Sequence, residues 1–171
     1  MPSTQSSSRN QTPIRESDGE WLQTRPGERC LIRVSTADTN GAYSVVEIIA
    51  EAGDSTPIHV HQNEDEHFLI LEGAARIAYG DKTIDAAAGE TIRLRRGVPH
   101  AWGNASASPL RMLVMVSPGG CEEALRIIAK GGDIDLAAVA KKFNVRIVGP
   151  PLLQGRSGGG PARFPYSSQE A

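Results

Sequence analysis

An all-β fold, an antiparallel sandwich or barrel, is what this sequence predicts, on three observations. Glycine and proline account for 18 and 11 of the 171 residues, about 17% against a usual ~12%, so turns are many. Short apolar or β-branched runs recur roughly every ten residues between 28 and 118, each bounded by turn residues. Strand and helix patterns do not alternate, so a parallel sheet is not expected.

The elements follow in order. Cys30 to Val34 and Tyr43 to Ile49 are strands separated by a loop ending in Asn40-Gly41, a pair that favours positive φ. A further strand carries His59 and His61. Glu66 to Leu71 and Ala75 to Tyr79 flank Glu72-Gly73, and Gly80-Asp81 turns the chain into Lys82 to Ala86. Thr91 to Leu94, His100 to Asn104 and Arg111 to Val116 complete the β set, with Leu113 and Met115 expected in the core. After Pro118-Gly119-Gly120 the period becomes helical. Glu122 and Glu123 suit a helix N-terminus and Gly131-Gly132 stops that helix. Asp135 is the expected N-cap of a second helix, with Leu136, Val139, Ala140 and Phe143 on one stripe. Such helices pack outside the β core, cover its mouth as a lid, or join a dimer interface.

The domain plan is therefore a polar, disordered arm over 1–17, a β core over 18–118, a helical extension over 119–154 and a flexible Gly-rich tail over 155–171. Eighteen basic against 20 acidic residues leave a net charge of −2. That balance offers no electrostatic footprint for nucleic acid or an anionic membrane. No run reaches the ~18 apolar residues of a membrane span. The first ten residues lack the apolar stretch of a secretory signal. Cys30 and Cys121 form no CxxC pair, so free thiols and a cytoplasmic location are expected.

The chemistry concentrates between Gly53 and Asn104. Side chains alternate along a strand, so His59 and His61 share one face, about 7 Å apart, and can converge on one ion. Glu66 opens the next strand and can return a carboxylate to that face. His67, its neighbour, falls on the opposite face. His100 follows Gly97-Val98-Pro99, so three of the four histidines sit in this constellation.

These residues carry a resemblance to the cupin superfamily. Its first motif is a glycine, five residues, His-x-His, three or four residues, a glutamate, six residues and a glycine; Gly53, His59, His61, Glu66 and Gly73 satisfy it. The second motif is matched by Gly89, Gly97, His100 and Asn104, with Arg95 where the motif has proline. The resemblance implies an antiparallel jelly-roll β-barrel, here with two short C-terminal helices. It also implies one divalent transition metal ion (Fe, Mn, Ni, Co, Cu or Zn) held by His59, His61, Glu66 and His100.

Alternation from these positions nominates the walls. Trp102 shares a face with His100 and Phe68 with Glu66, as substrate-binding walls or as core. Glu47 falls either on a buried face, where it would need a partner, or on an outer face, the expected one, where it needs none. Arg93, Arg95 and Arg96 form either a solvated strand end or an anchor for a carboxylate substrate. A one-residue slip would make Asp65 the ligand in place of Glu66. The chain is most similar to small cupins of the quercetin dioxygenase type. That implies a metal-dependent dioxygenase acting on a small oxygenated or aromatic molecule, with Glu66 as both ligand and base. The same ligands also serve isomerases, decarboxylases and non-catalytic binding modules. Related small cupins are commonly dimers, and a homodimer is expected here.

Overall fold

The computed structural model describes residue 19 and residues 21–153. The expected arm over 1–17 and tail over 155–171 lie outside the described residues. In chain order the elements are β1 (Leu22–Arg25), β2 (Glu28–Val34), β3 (Ser44–Ala50), β4 (Pro57–His61), β5 (Asp65–Glu72), β6 (Ala74–Tyr79) and β7 (Lys82–Ala87). There follow β8 (Thr91–Leu94), β9 (His100–Gly103), β10 (Leu110–Ser117), α1 (Glu122–Ile128), α2 (Leu136–Lys142) and β11 (Val145–Pro151).

All pairings are antiparallel. They build a six-stranded sheet in the order β1-β2-β3-β10-β5-β8 and a five-stranded sheet in the order β11-β4-β9-β6-β7. This is the expected jelly roll, except that the two sheets remain separate ladders and do not close into one barrel. The core lies between them. Phe68, Ile70, Met112 and Val114 from the first sheet pack with Ala75, Ile77, Ala86 and Trp102 from the second.

Burial alternates along the strands, which decides what faces the site. On β5, Glu66, Phe68 and Ile70 point inward and His67 outward, as expected. On β10 the buried residues are Leu110, Met112, Val114 and Val116. Leu113 and Met115 lie on the outer face, half-exposed, which corrects their assignment to the core. Residues 112–116 are apolar on both faces, so the pattern alone could not choose a side. Glu47 is on the outer face too, but it is not unpartnered. It is only 2% exposed, and its carboxylate accepts from Arg33 Nε and Arg111 Nε, each at 2.6 Å.

Two strands escaped the sequence reading, β1 and β11. Both are edge strands. β11 runs Val-Arg-Ile-Val-Gly-Pro-Pro, and only an edge tolerates the prolines. It lengthens the second sheet beside β4, so 119–154 is not helical throughout. Gly73 turns β5 into β6 at φ 76°, and a Cβ there would stand 2.6 Å from the Pro109 carbonyl oxygen. Asp135 caps α2 as expected, its carboxylate accepting from Ala137 N at 2.9 Å and Ala138 N at 3.1 Å.

Candidate metal centre

Three strands deliver four side chains to one point between the sheets. His59 and His61 come from β4, Glu66 from the start of β5, and His100 from the start of β9, where it pairs directly with His59. One donor atom from each of the four lies within 4.8 Å of every other. Ligand bonds of about 2.0–2.2 Å place donors on opposite sides of an ion about 4.4 Å apart at most, so little contraction would close this set on a metal. His61, Glu66 and His100 are buried and His59 is half-buried. The expected carboxylate is the one that arrives. Asp65 turns away and accepts from the backbone N–H of Arg96 at 2.9 Å and its Nε at 3.0 Å.

The outer ring nitrogens show how the imidazoles are aimed. His59 Nδ1 donates to the Pro57 carbonyl at 2.8 Å, and His100 Nδ1 to the Val98 carbonyl at 2.9 Å. Each such bond leaves Nε2 as the free lone pair. His61 Nδ1 meets Glu64 Oε2 at 3.3 Å instead, with the Cys121 thiol at 3.9 Å.

The inner nitrogens test whether a cation fits. His100 Nε2 stands 3.1 Å from Glu66 Oε2, and His61 Nε2 stands 3.4 Å from Glu66 Oε1. With His100 Nδ1–H spent on a carbonyl, two lone pairs face each other across 3.1 Å unless a proton or a metal ion lies between them. Three nitrogens and one carboxylate suit a first-row divalent ion of the Mn-to-Zn series. The set can hold a metal.

Electrostatics agree with this crowding. Burial raises the Glu66 carboxyl, but the His61 charge and the His100 hydrogen bond outweigh it, holding it down to about 2. Burial lowers His61, yet the Glu66 charge, Cys121 and Glu64 together push it up to about 11. Burial and the neighbouring His100 press His59 down to about 4.

Other nominated residues lie as follows. Phe68 and Trp102 sit one inward step beyond Glu66 and His100, at 1% and 4% exposure in the core, with Arg25 stacked 5.5 Å over the Trp102 ring. The turn before His100 uses Arg95 where a proline was expected. Its N–H points at the Tyr79 hydroxyl at 3.4 Å, and Gly97 N–H donates to the His61 carbonyl at 2.8 Å. Arg96 is tied to Asp65 at the surface, which fits the solvated strand end. Cys121, just before α1, and Leu125 within it pack against the core, so α1 covers the site beside His61, while α2 leans on β11 with no buried residue. Sequence reasoning gave Glu64, Cys121 and Ser44 no part here. Ser44 is fully buried, its hydroxyl without a hydrogen-bond partner, in the row that runs through Val116 to Glu66. Glu64 had a signal in its position three residues after His61; the other two had none, because distant pairing brings them in.

The family model described as "Cupin domain" matches residues 45–116. Mannose-1-phosphate guanylyltransferase 2 of Escherichia coli O157:H7 is 30% identical over 100 residues, covering 58% of this chain and 20% of that protein. Quercetin 2,3-dioxygenase of Bacillus subtilis is 27% identical over 88 residues, covering 47% of this chain and 26% of that protein. The chain thus spans about a quarter or less of the length of either. The solved structure of a polyketide cyclase from Streptomyces resistomycificus superposes with a TM-score of 0.54 at 21% identity, covering 62% of this chain and 78% of that one. That likeness is one of fold. No described helix is long and apolar enough to cross a membrane.

Proposed function

This chain is a member of the cupin superfamily, and from that premise we propose that it is a metal-dependent enzyme, dioxygenase-like, acting on a small oxygenated or aromatic molecule. The observation that carries the reading is the convergence of three imidazoles and one carboxylate within 4.8 Å in the interior. A bound divalent ion would supply a Lewis acid that lowers the pKa of an oxygen ligand. In this reading His59, His61 and His100 hold it through Nε2 and Glu66 through its carboxylate. Four protein donors leave positions free on an ion that takes five or six.

The chain's own groups then do the rest. Glu66 lies inside the ring of donors, where one of its oxygens can take a proton from a ligand hydroxyl. Its pKa near 2 as described belongs to the metal-free state, with His61 charged beside it. Phe68 and Trp102 form the apolar wall that keeps water from the reacting atoms. The similarity to quercetin 2,3-dioxygenase supports the dioxygenase form of the reading.

The test is oxygen uptake by the metal-reconstituted full chain, offered flavonol and small diketone substrates. Uptake that disappears in His61→Ala supports the dioxygenase. A substrate consumed without oxygen would replace it with an isomerase or decarboxylase, and binding without turnover with a non-catalytic module.

Two further parts of the reading concern the setting. Both cysteines are free thiols, which supports a reducing, cytoplasmic compartment. The outer face of the six-stranded sheet carries half-exposed Val45, Ile49, Leu69, Leu71, Leu113 and Met115, which supports a homodimer through that face. A monomeric mass by light scattering at high concentration would remove the dimer.

A further inference from the structure

We propose that Glu64 is a positioning residue for the metal centre, holding the ring of His61 so that its Nε2 faces the ion. The inference rests on the metal-site reading above and assigns a task to a residue outside the ligand set.

The three histidines are not oriented in the same way. His59 and His100 each use the carbonyl two residues earlier, Pro57 and Val98. By that local rule His61 would turn to the carbonyl of His59. That residue lies in the sheet interior, paired with His100 on one side and with Ile147 on the other. His61 turns instead to Glu64, whose Oε2 lies 3.3 Å from Nδ1. Glu64 is only 7% exposed, so it is not a solvated loop acid that happens to pass near.

The loop holding Glu64 is itself pinned on two sides. Gln62 N–H donates to the Asn144 carbonyl at 3.1 Å, and the His61 carbonyl accepts from Gly97 N–H at 2.8 Å. Glu64 is thus presented at a fixed place. A charged acceptor also makes Nε2 a stronger donor than a backbone carbonyl does. His61 becomes the most electron-rich of the three imidazoles. The Cys121 thiol approaches the same nitrogen at 3.9 Å, the outer limit of a sulfur contact, and sulfur is the weaker acceptor, so the carboxylate has the larger part in the task.

The probe is Co(II) alone, titrated into full-length metal-free protein against a competing chelator, with the visible absorption of the bound ion recorded. Glu64→Ala is expected to weaken Co(II) binding about 10–100-fold and to shift the spectrum. Glu64→Gln, which keeps an oxygen acceptor of the same reach, recovers part of the affinity and the parent spectrum. Cys121→Ala loses less affinity than Glu64→Ala. Glu64→Ala binding as tightly as the parent, with an unchanged spectrum, would overturn the proposal even if its metal-free melting temperature drops. Loss of binding in Cys121→Ala equal to that in Glu64→Ala would move the task to the thiol. Failure of the parent to bind Co(II) at all would sink the metal reading itself, and this proposal with it; binding by the parent but not by His61→Ala keeps the two separable.

Discussion

His100 Nε2 and Glu66 Oε2 stand 3.1 Å apart, although the other nitrogen of His100 already donates to the Val98 carbonyl. Neither atom of the pair has a hydrogen of its own to share once that bond is made. Something positive belongs between them. His61 meets the other oxygen of the same carboxylate at 3.4 Å, so one buried glutamate draws two imidazoles toward itself. In the metal-free chain a proton on His61 offsets the charge of that carboxylate from its other oxygen; a bound ion would lie against both oxygens' partners at once.

The first prediction concerns protons. With His61 raised to about 11, the metal-free protein carries that proton at neutral pH, and ligation must displace it. Calorimetry in buffers of different ionisation enthalpy should show about one proton released per ion bound. An enthalpy that does not depend on the buffer would contradict the charged His61.

The same groups set the stability of the metal-free chain. His59, lowered to about 4 from an ordinary 6.5, contributes stability above 6.5 that is lost as pH falls toward 4. His61, raised to about 11 from 6.5, contributes stability below 6.5 that is lost as pH rises toward 11. Glu66, held to about 2 from 4.5, adds a further loss between those values in acid. The melting temperature of metal-free protein should therefore peak close to pH 6.5. A peak at pH 9 or above would show that His61 is not so raised.

Glu47 offers a stability test away from the site. Its buried carboxylate binds Arg33 and Arg111, but Arg111 is 38% exposed, so solvent screening limits the gain. Glu47→Ala is expected to lose about 1–3 kcal/mol, the scale of hydrogen bonds to charged groups. Denaturant unfolding checks the loss, and metal content should not change.

Trp102 separates wall from core. At 4% exposure, its truncation to alanine should cost about 3–5 kcal/mol by leaving a cavity. Trp102→Phe keeps most of the volume, so metal stays bound while the binding of a bulky substrate weakens. Unchanged substrate binding in that variant would assign Trp102 to the core alone.

Much of this site was legible because its geometry is local. His59 and His61 are two residues apart on one strand, so period two alone puts them together; Glu66 follows a short loop at the start of the next strand, and Gly97 marks the turn before His100. The edge strands were illegible for the opposite reason. β1 is four residues long and β11 ends in prolines, so neither shows alternation, and only pairing with β2 and β4 makes them strands. Leu113 and Met115 failed because both faces of β10 are apolar. Glu47 failed because its partners come from β2 and β10, 14 and 64 residues away. No local pattern encodes that meeting.

The most direct test of the metal centre is elemental analysis of tag-free protein purified without chelator, expressed as moles of each transition metal per chain. The account predicts about one ion per chain in the parent, and its loss in both His61→Ala and His100→Ala with the fold retained. A parent that holds no metal even after reconstitution, or variants that keep the full complement, would contradict it.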